Sequence, residues 1–249
     1  MQFKPKTKKE LRDAIEKYCE NNEQKYGNIN DWNVSLITDM SELFQCNTND
    51  CFGDCHSKLH EFNQPLNKWD VSNVTDMSDM FFGCKKFNKP LDNWDVSNVT
   101  NMYRMFNGCK KFNKLLNYWH VSNVVNMSEM FLGCKKFNKP LNNWDVSKVI
   151  NMSYMFFECE KFNQPMNDWN VSTVTNMTYM FLGCINFNRP LNNWNVSNVT
   201  NMAHMFCECK KFNRSLNDWH VFKKTNIDNM FYGCDKFNHS LNMFKKCEY

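Results

Sequence analysis

Residues 66–90 read LNKWDVSNVTDMSDMFFGCKKFNKP, and residues 91–115 read LDNWDVSNVTNMYRMFNGCKKFNKL, so the chain repeats one unit almost letter for letter. From Trp69 to Trp219, tryptophan recurs every 25 residues. Trp32 lies 37 residues before Trp69 (69 minus 32), which is one period plus an insertion of 12 residues between 44 and 62. A fixed period of this length indicates a repeat array, and we predict one array with a single interruption.

The apolar residues of each unit follow two different spacings. Trp69 and Val71 alternate with polar residues, which is the period-two pattern of a short half-buried strand. From Val74 onward the apolar residues recur at threes and fours, which is typical of one or two helical turns. Nine positions of the unit are predicted to be buried: Leu66, Trp69, Val71, Val74, Met77, Met80, Phe81, Cys84 and Phe87.

Two parts of the unit resemble known repeat families. The F-x-x-C-x-x-F of Phe81, Cys84 and Phe87 is similar to one half of the BspA-type leucine-rich repeat. Joined to LNKWDVSNVTDM, it resembles the Trp-Asp-Val-Ser repeat of mycoplasma surface proteins, a domain of unknown function also met in large DNA viruses and protists. The resemblance covers about residues 29–244, and it implies a curved solenoid used for binding, with no catalytic chemistry.

These observations predict a right-handed α/β solenoid of leucine-rich-repeat type. Its eight repeats of about 25 residues would carry a parallel β-sheet on the concave face and short helical turns on the convex side. Residues 1–28 are predicted to form an N-terminal capping helix, opened by a capping box of Thr7 and Glu10. Residues 29–244 would form the array, and residues 245–249 a C-terminal tail.

Cysteine offers two further hypotheses. Seven of the 13 cysteines, from Cys84 to Cys234, occupy the same place in successive repeats, and neighbouring repeats are close enough for a disulfide ladder. Buried free thiols are the favoured interpretation, because seven is odd and a reducing compartment is expected. The insertion holds five potential metal ligands with a spacing that fits no standard zinc finger, so a metal site, a disulfide and an ordinary surface loop all stay open: Cys46, Cys51, Cys55, His56 and His60.

Partner binding is predicted on the polar side chains of the strand segments, which would face solvent on the concave side. Most repeats carry the same short polar residues there, and a few larger side chains interrupt them. The candidates are Lys68, Asp70, Asp95, Tyr118, His120, Asp145, Asp168, His220 and Phe222. On the opposite side, nine lysines between Lys85 and Lys139 form a stripe, and a solvated surface is favoured there because a net charge of +4 is small for a nucleic-acid binder.

The sequence contains no P-loop, no G-x-G-x-x-G, no G-x-S-x-G and no zinc-protease helix motif. We therefore predict a non-enzymatic, cofactor-free module that binds an unidentified protein. The alternatives are a structural component of a particle or surface layer, and a metal- or redox-responsive protein that acts through the insertion. Because no apolar run could span a membrane and the N-terminus lacks an apolar h-region, we expect an intracellular, cytoplasmic monomer, with a particle-associated or surface location as the alternative.

Overall fold

A computed structural model describes residues 2–21, 24–46 and 58–240 of the chain. One α-helix, α1, spans Lys8–Asn21, and three short 3-10 turns span Gln24–Tyr26, Ile29–Asp31 and Lys58–Glu61. The repeats follow in single file, and we number their positions 1 to 25 with Leu66 as position 1 of the second repeat. The eight repeats start at residues 29, 66, 91, 116, 141, 166, 191 and 216.

The core runs through the middle of this stack. All nine apolar positions predicted from the second repeat are buried there, with at most 3% of any side chain exposed. The same positions are buried through most of the later repeats, so one continuous core links repeat to repeat. The predicted core residues are thus confirmed, because the apolar pattern specifies which side chains leave water.

The predicted parallel β-sheet is wrong, and with it the α/β solenoid of leucine-rich-repeat type. In the described ranges each repeat contributes a single bridge residue at position 11, such as Asp76 or Asn101, and no longer strand occurs. The segment predicted as a strand folds into tight turns, in which Trp69 N–H donates to Leu66 O at 3.0 Å. Asp70 Oδ1 also accepts from Ser72 N–H at 3.1 Å. These local bonds use the backbone groups that a strand would offer to its neighbours.

The repeats are instead joined by a ladder at positions 11 to 18. The N–H groups of positions 12, 14, 16 and 18 donate to the carbonyls of positions 11, 13, 15 and 17 in the next repeat. Phe81 N–H, for example, donates to Met105 O at 2.9 Å, and Gly83 N–H donates to Asn107 O at 2.8 Å. All these donors point toward the C-terminal end of the stack and all the acceptors toward its N-terminal end, so the ladder is polar.

The predicted helical turns on the convex side are also wrong. Position 14 is left-handed in every repeat, with φ values of +54° at Asp79 and +58° at Glu129. Position 18 is left-handed from the second repeat onward, usually with glycine, as at Gly83 with φ +75°. A left-handed residue costs roughly 1–2 kcal/mol for side chains other than glycine and interrupts a right-handed helix. In the first seven repeats these N–H groups each make an inter-repeat hydrogen bond, to which we attribute the persistence of this conformation.

Side-chain columns reinforce the ladder. The Phe81 and Phe106 rings stack with centroids 5.5 Å apart, and the Trp94 and Trp119 rings stack at 6.4 Å. Trp94 Nε1–H also donates to Leu66 O, at 2.9 Å. Each repeat is therefore held mainly by its two neighbours, as expected of a repeat array.

Candidate functional site

The outward side chains at positions 14 and 17 form one surface, which we call the ladder face. Position 14 carries six different residue types in eight repeats, whereas position 5, in the predicted binding strand, carries three. The ladder face consists of Glu42, Asp79, Arg104, Glu129, Tyr154, Tyr179, His204 and Asn229 at position 14, and of Gln45, Phe82, Asn107, Leu132, Phe157, Leu182, Cys207 and Tyr232 at position 17. In a chain of near-identical repeats, this surface differs most from one repeat to the next.

The first half of the ladder face is charged. The Arg104 guanidinium lies 3.3 Å from Asp79 and 3.4 Å from Glu129, at ion-pair distance but without hydrogen-bond geometry at Asp79 Oδ1 or Arg104 Nε. Its central carbon also sits 4.1 Å from the centroid of the Phe82 ring. Asp79 is only 8% exposed, and burial raises the pKa of its carboxyl although Arg104 opposes this shift. The charged groups of this half thus mainly satisfy one another.

The second half of the ladder face is aromatic. Tyr154 and Tyr179 stack with centroids 4.7 Å apart, and His204 stacks on Tyr179 at 4.6 Å. The Phe157 ring lies 5.8 Å from Tyr154 and 6.5 Å from Tyr179. We call Tyr154, Phe157, Tyr179 and His204 the aromatic patch, and all four side chains are only partly buried. Burial chiefly raises the pKa of Tyr154, with smaller effects from Tyr179 and Glu129, so its phenol is neutral and can donate a hydrogen bond.

The acidic residues on the predicted binding surface mostly stabilise turns. Asp95 and Asp145 each accept a backbone N–H two residues ahead at 3.0 Å, as Asp70 does. Hydrogen bonds from serine side chains and backbone lower the pKa of the Asp95 and Asp145 carboxyls. Lys68 is exposed and pairs with Asp31 at 2.8 Å. These contacts give the residues a local role within the fold.

The other predicted binding residues are exposed but spread along the stack. Tyr118 is 72% exposed and Phe222 is 50% exposed, and they lie in the fourth and the eighth repeat. His120 lies near Asp95 and His220 lies four repeats further on, while Asp168 is exposed in the sixth repeat. Tyr118 and His120 therefore lie four repeats away from His220 and Phe222, and these four large side chains do not form one cluster. Whether they bind a partner stays a prediction.

The cysteine column consists of free thiols. Cys84, Cys109, Cys134, Cys159, Cys184 and Cys209 are buried and free, and Cys234 is free and partly buried. Each thiol donates to a phenylalanine carbonyl of the preceding repeat, as Cys109 Sγ does to Phe81 O at 3.1 Å. The column is thus a hydrogen-bonding and packing feature, and the disulfide ladder is not formed.

The insertion is described only at its edges. Cys46 is disulfide-bonded, and His60 Nε2 lies 3.3 Å from Glu61 Oε1. Cys51, Cys55 and His56 lie outside the described residues. Within residues 2–21, 24–46 and 58–240, no group of three metal-ligating side chains comes together.

The lysine stripe is partly paired. Lys135 Nζ lies 2.8 Å from Glu160, and Lys86 pairs with Glu61. The part of the chain that the structure describes also contains no helix of the length and apolarity that crossing a membrane requires.

Fold and surface together define a repeat protein with a constant stacked core and one varied face. A family model described as "Mycoplasma protein of unknown function, DUF285" matches residues 13–139, 46–164 and 133–244. These segments together span most of the chain, so the protein belongs to this repeat family of unknown function. The match supports the mycoplasma-type resemblance but not the BspA-type one. No curated protein and no solved structure gives a significant match.

The ladder face was not predicted from the sequence, because helical turns were expected at its positions and solvent-facing strand residues were expected elsewhere. A comparison of the repeats column by column would have found it. Tyr154, Tyr179 and His204 fall at one position, where other repeats carry Glu, Asp, Arg or Asn.

Proposed function

We propose that this protein is a non-enzymatic interaction module that binds a partner protein through the ladder face, with the aromatic patch as its anchor. The observation that carries the proposal is the stacked row of Tyr154, Tyr179 and His204, with Phe157 against both tyrosines. Tyrosine is enriched among the few residues that supply most of the energy of protein interfaces. A rigid scaffold that presents varied side chains in fixed rows suits such a role.

The surroundings of the patch indicate the chemistry of the partner. Glu158 and Glu208 occupy position 18 in the repeats of Tyr154 and His204, each 3.9 Å from a lysine, whereas Glu129 beside Tyr154 already pairs with Arg104. Aromatic faces beside carboxylates favour cationic side chains, arginine above all, which stack on rings and pair with carboxylates at once. We therefore expect the partner to present an arginine-containing surface.

The test compares two surfaces of the same protein. Tyr154→Asn with Tyr179→Asn removes the patch while keeping a residue that tolerates left-handed backbone, since Asn229 already occupies that position with φ +52°. The matched variant, Tyr118→Asn with Phe222→Asn, alters the surface predicted from the sequence. Partners captured by the unaltered chain are identified, purified and titrated against all three proteins.

We expect the patch variant to lose at least about tenfold in affinity, which corresponds to about 1.4 kcal/mol, and the matched variant to bind normally. The opposite result would move the binding surface to Tyr118 and Phe222. Equal binding by all three proteins would refute both surfaces.

The first alternative, a structural component of a particle or surface layer, requires the protein to associate with itself. The last described repeat has unpaired backbone N–H groups, and the first repeat has backbone carbonyls at the matching positions. A redox-responsive role would act through Cys46, whose disulfide is the one observation in its favour.

A further inference from the structure

The ladder row of the last described repeat has unpaired donors. In each of the seven internal junctions, four N–H groups of one repeat bond to carbonyls of the next. The corresponding groups of the last repeat have no acceptor among the described residues, and they belong to Ile227, Asn229, Phe231 and Gly233. The carbonyls at positions 11, 13, 15 and 17 of this repeat accept from the preceding repeat, so the outward backbone groups of this row are donors. A row of unpaired N–H groups is a ready site for acceptors from another chain.

The apolar columns also stop there. Phe231 stacks on Phe206 at 5.7 Å, and Phe237 stacks on Phe212 at 5.9 Å. The two outer rings are only partly buried, whereas their counterparts in the interior are fully buried.

The N-terminal end carries the complementary groups. Positions 11, 13, 15 and 17 of the first repeat are Asp39, Ser41, Leu43 and Gln45, whose counterparts in later repeats accept the ladder bonds. Among the described residues, the backbone carbonyls of the first three have no hydrogen-bond donor, and Gln45 O accepts from Arg12 at 3.0 Å.

Helix α1 lies against this end. Its Leu11, Ala14 and Ile15 are buried in the core that the first repeat begins. Lys8 Nζ lies 3.0 Å from Asp39, and Arg12 donates to the carbonyls of Glu42 and Gln45. Cations beside a row of outward carbonyls are electrostatically favourable, as they are at the C-terminus of a helix.

We propose that the C-terminal end of the stack is a docking surface for the first repeat of a second copy, and that α1 keeps copies apart by covering that repeat. Two such rows cannot pair with each other, because both consist of donors. The complementary carbonyl row lies in the first repeat, which α1 covers. When α1 is released, the first repeat of one copy continues the ladder of another, with Phe44 stacking on Phe231. Such a head-to-tail contact leaves a free end after each addition, so it produces linear assemblies.

The test uses two kinds of variant of the full 249-residue chain. Opened variants weaken the hold of α1, either by Lys8→Ala with Arg12→Ala or by Ile15→Asp. Blocked variants place a carboxylate at the docking surface by Phe231→Asp or Ile227→Asp. Molar mass is measured by size-exclusion chromatography with light scattering over a hundredfold range of concentration, and tryptophan emission reports that the repeats are folded.

We expect the opened variants to form a series of oligomers that lengthens with concentration, while the original chain and the blocked variants keep the mass of one chain. An opened and blocked chain should also remain single. An excess of the protein without substitutions should shorten the oligomers of an opened variant. The unsubstituted protein can accept a copy at its C-terminal end, but its own first repeat stays covered by α1, so it cannot add to another copy.

Three results would overturn the proposal: opened variants that stay single, assembly that persists when the C-terminal end is blocked, or opened variants that unfold without assembling. The aromatic patch is left intact in all these chains, and the patch variant has intact ends. Failure of the assembly experiment is therefore distinguishable from failure of the partner-binding proposal.

Discussion

The single-file stack predicts that the same truncation costs more in the middle of the chain than at its C-terminal end. Phe131 is fully buried between Phe106 at 5.7 Å and Phe156 at 5.6 Å. Phe231 is partly buried and has only Phe206 as a stacking neighbour in its column, at 5.7 Å. Replacement of a buried phenylalanine by alanine typically costs about 3–5 kcal/mol, through lost transfer free energy and the cavity left behind.

We expect the free-energy cost of Phe131→Ala to fall in the upper half of that range, because the substitution removes one stacked aromatic pair on each side, and each pair contributes roughly 0.5–1.5 kcal/mol. Phe231→Ala should cost about 1–2 kcal/mol, since Phe231 is partly buried and roughly two thirds of the 1.5–3 kcal/mol available from full burial is at stake. Urea unfolding, followed by tryptophan fluorescence and by circular dichroism, gives both free energies.

The shape of the transition provides a second criterion. Coupling between neighbours means that a weakened central repeat separates the two halves of the array, so Phe131→Ala should broaden or split the transition, while Phe231→Ala should leave it sharp. Equal losses at the two positions, with equally sharp transitions, would refute the single-file arrangement of the core.

Three further predictions concern charge and backbone. Burial raises the pKa of the Cys134 thiol above its ordinary value of about 9, so the contribution of this thiol to stability should be constant below pH 9, and the free energy of unfolding should fall as pH rises beyond it; a free energy of unfolding that rises between pH 9 and 11 would contradict this. Burial also raises the pKa of Asp79, so Asp79→Asn should raise the urea midpoint at pH 7 and have no effect at pH 3, where the carboxyl is protonated; a lower midpoint at pH 7 would mean that its pairing with Arg104 outweighs burial. At Gly133, with φ +69° and Gly108 Cα at an ordinary contact distance of 3.8 Å from an added methyl group, alanine should cost about 1 kcal/mol in urea unfolding, whereas Glu158→Gly at φ +55° should cost nothing.

The sequence was sufficient to predict the register of the repeats and their core. Spacing alone identified Trp69, Met77 and Phe81 as buried, because burial depends on the order of apolar residues. It did not predict the backbone between them. An apolar spacing of three and four residues fits right-handed helical turns, and it also fits a backbone that alternates right-handed and left-handed residues. The pattern therefore does not reveal that Asp79 and Arg104 are left-handed.

The same limit explains the outcome at the candidate site. Alternation around Trp69 indicated a strand, but Asp70 bonds to Ser72 N–H and closes a turn instead. The strand prediction then placed the binding surface at positions 3, 5 and 7. Tyr154 and Tyr179 fall in segments predicted as helical turns, although their stacking follows from occupying one position in adjacent repeats.

The polar ladder is the central claim, because both the ladder face and the complementary ends depend on it. The most direct measurement is NMR detection of scalar couplings across hydrogen bonds in the deuterated protein. We predict couplings from Glu129 N to the Ser153 carbonyl and from Phe131 N to the Met155 carbonyl. A coupling from Phe131 N to the Met127 carbonyl, four residues back as in an α-helix, would contradict the account.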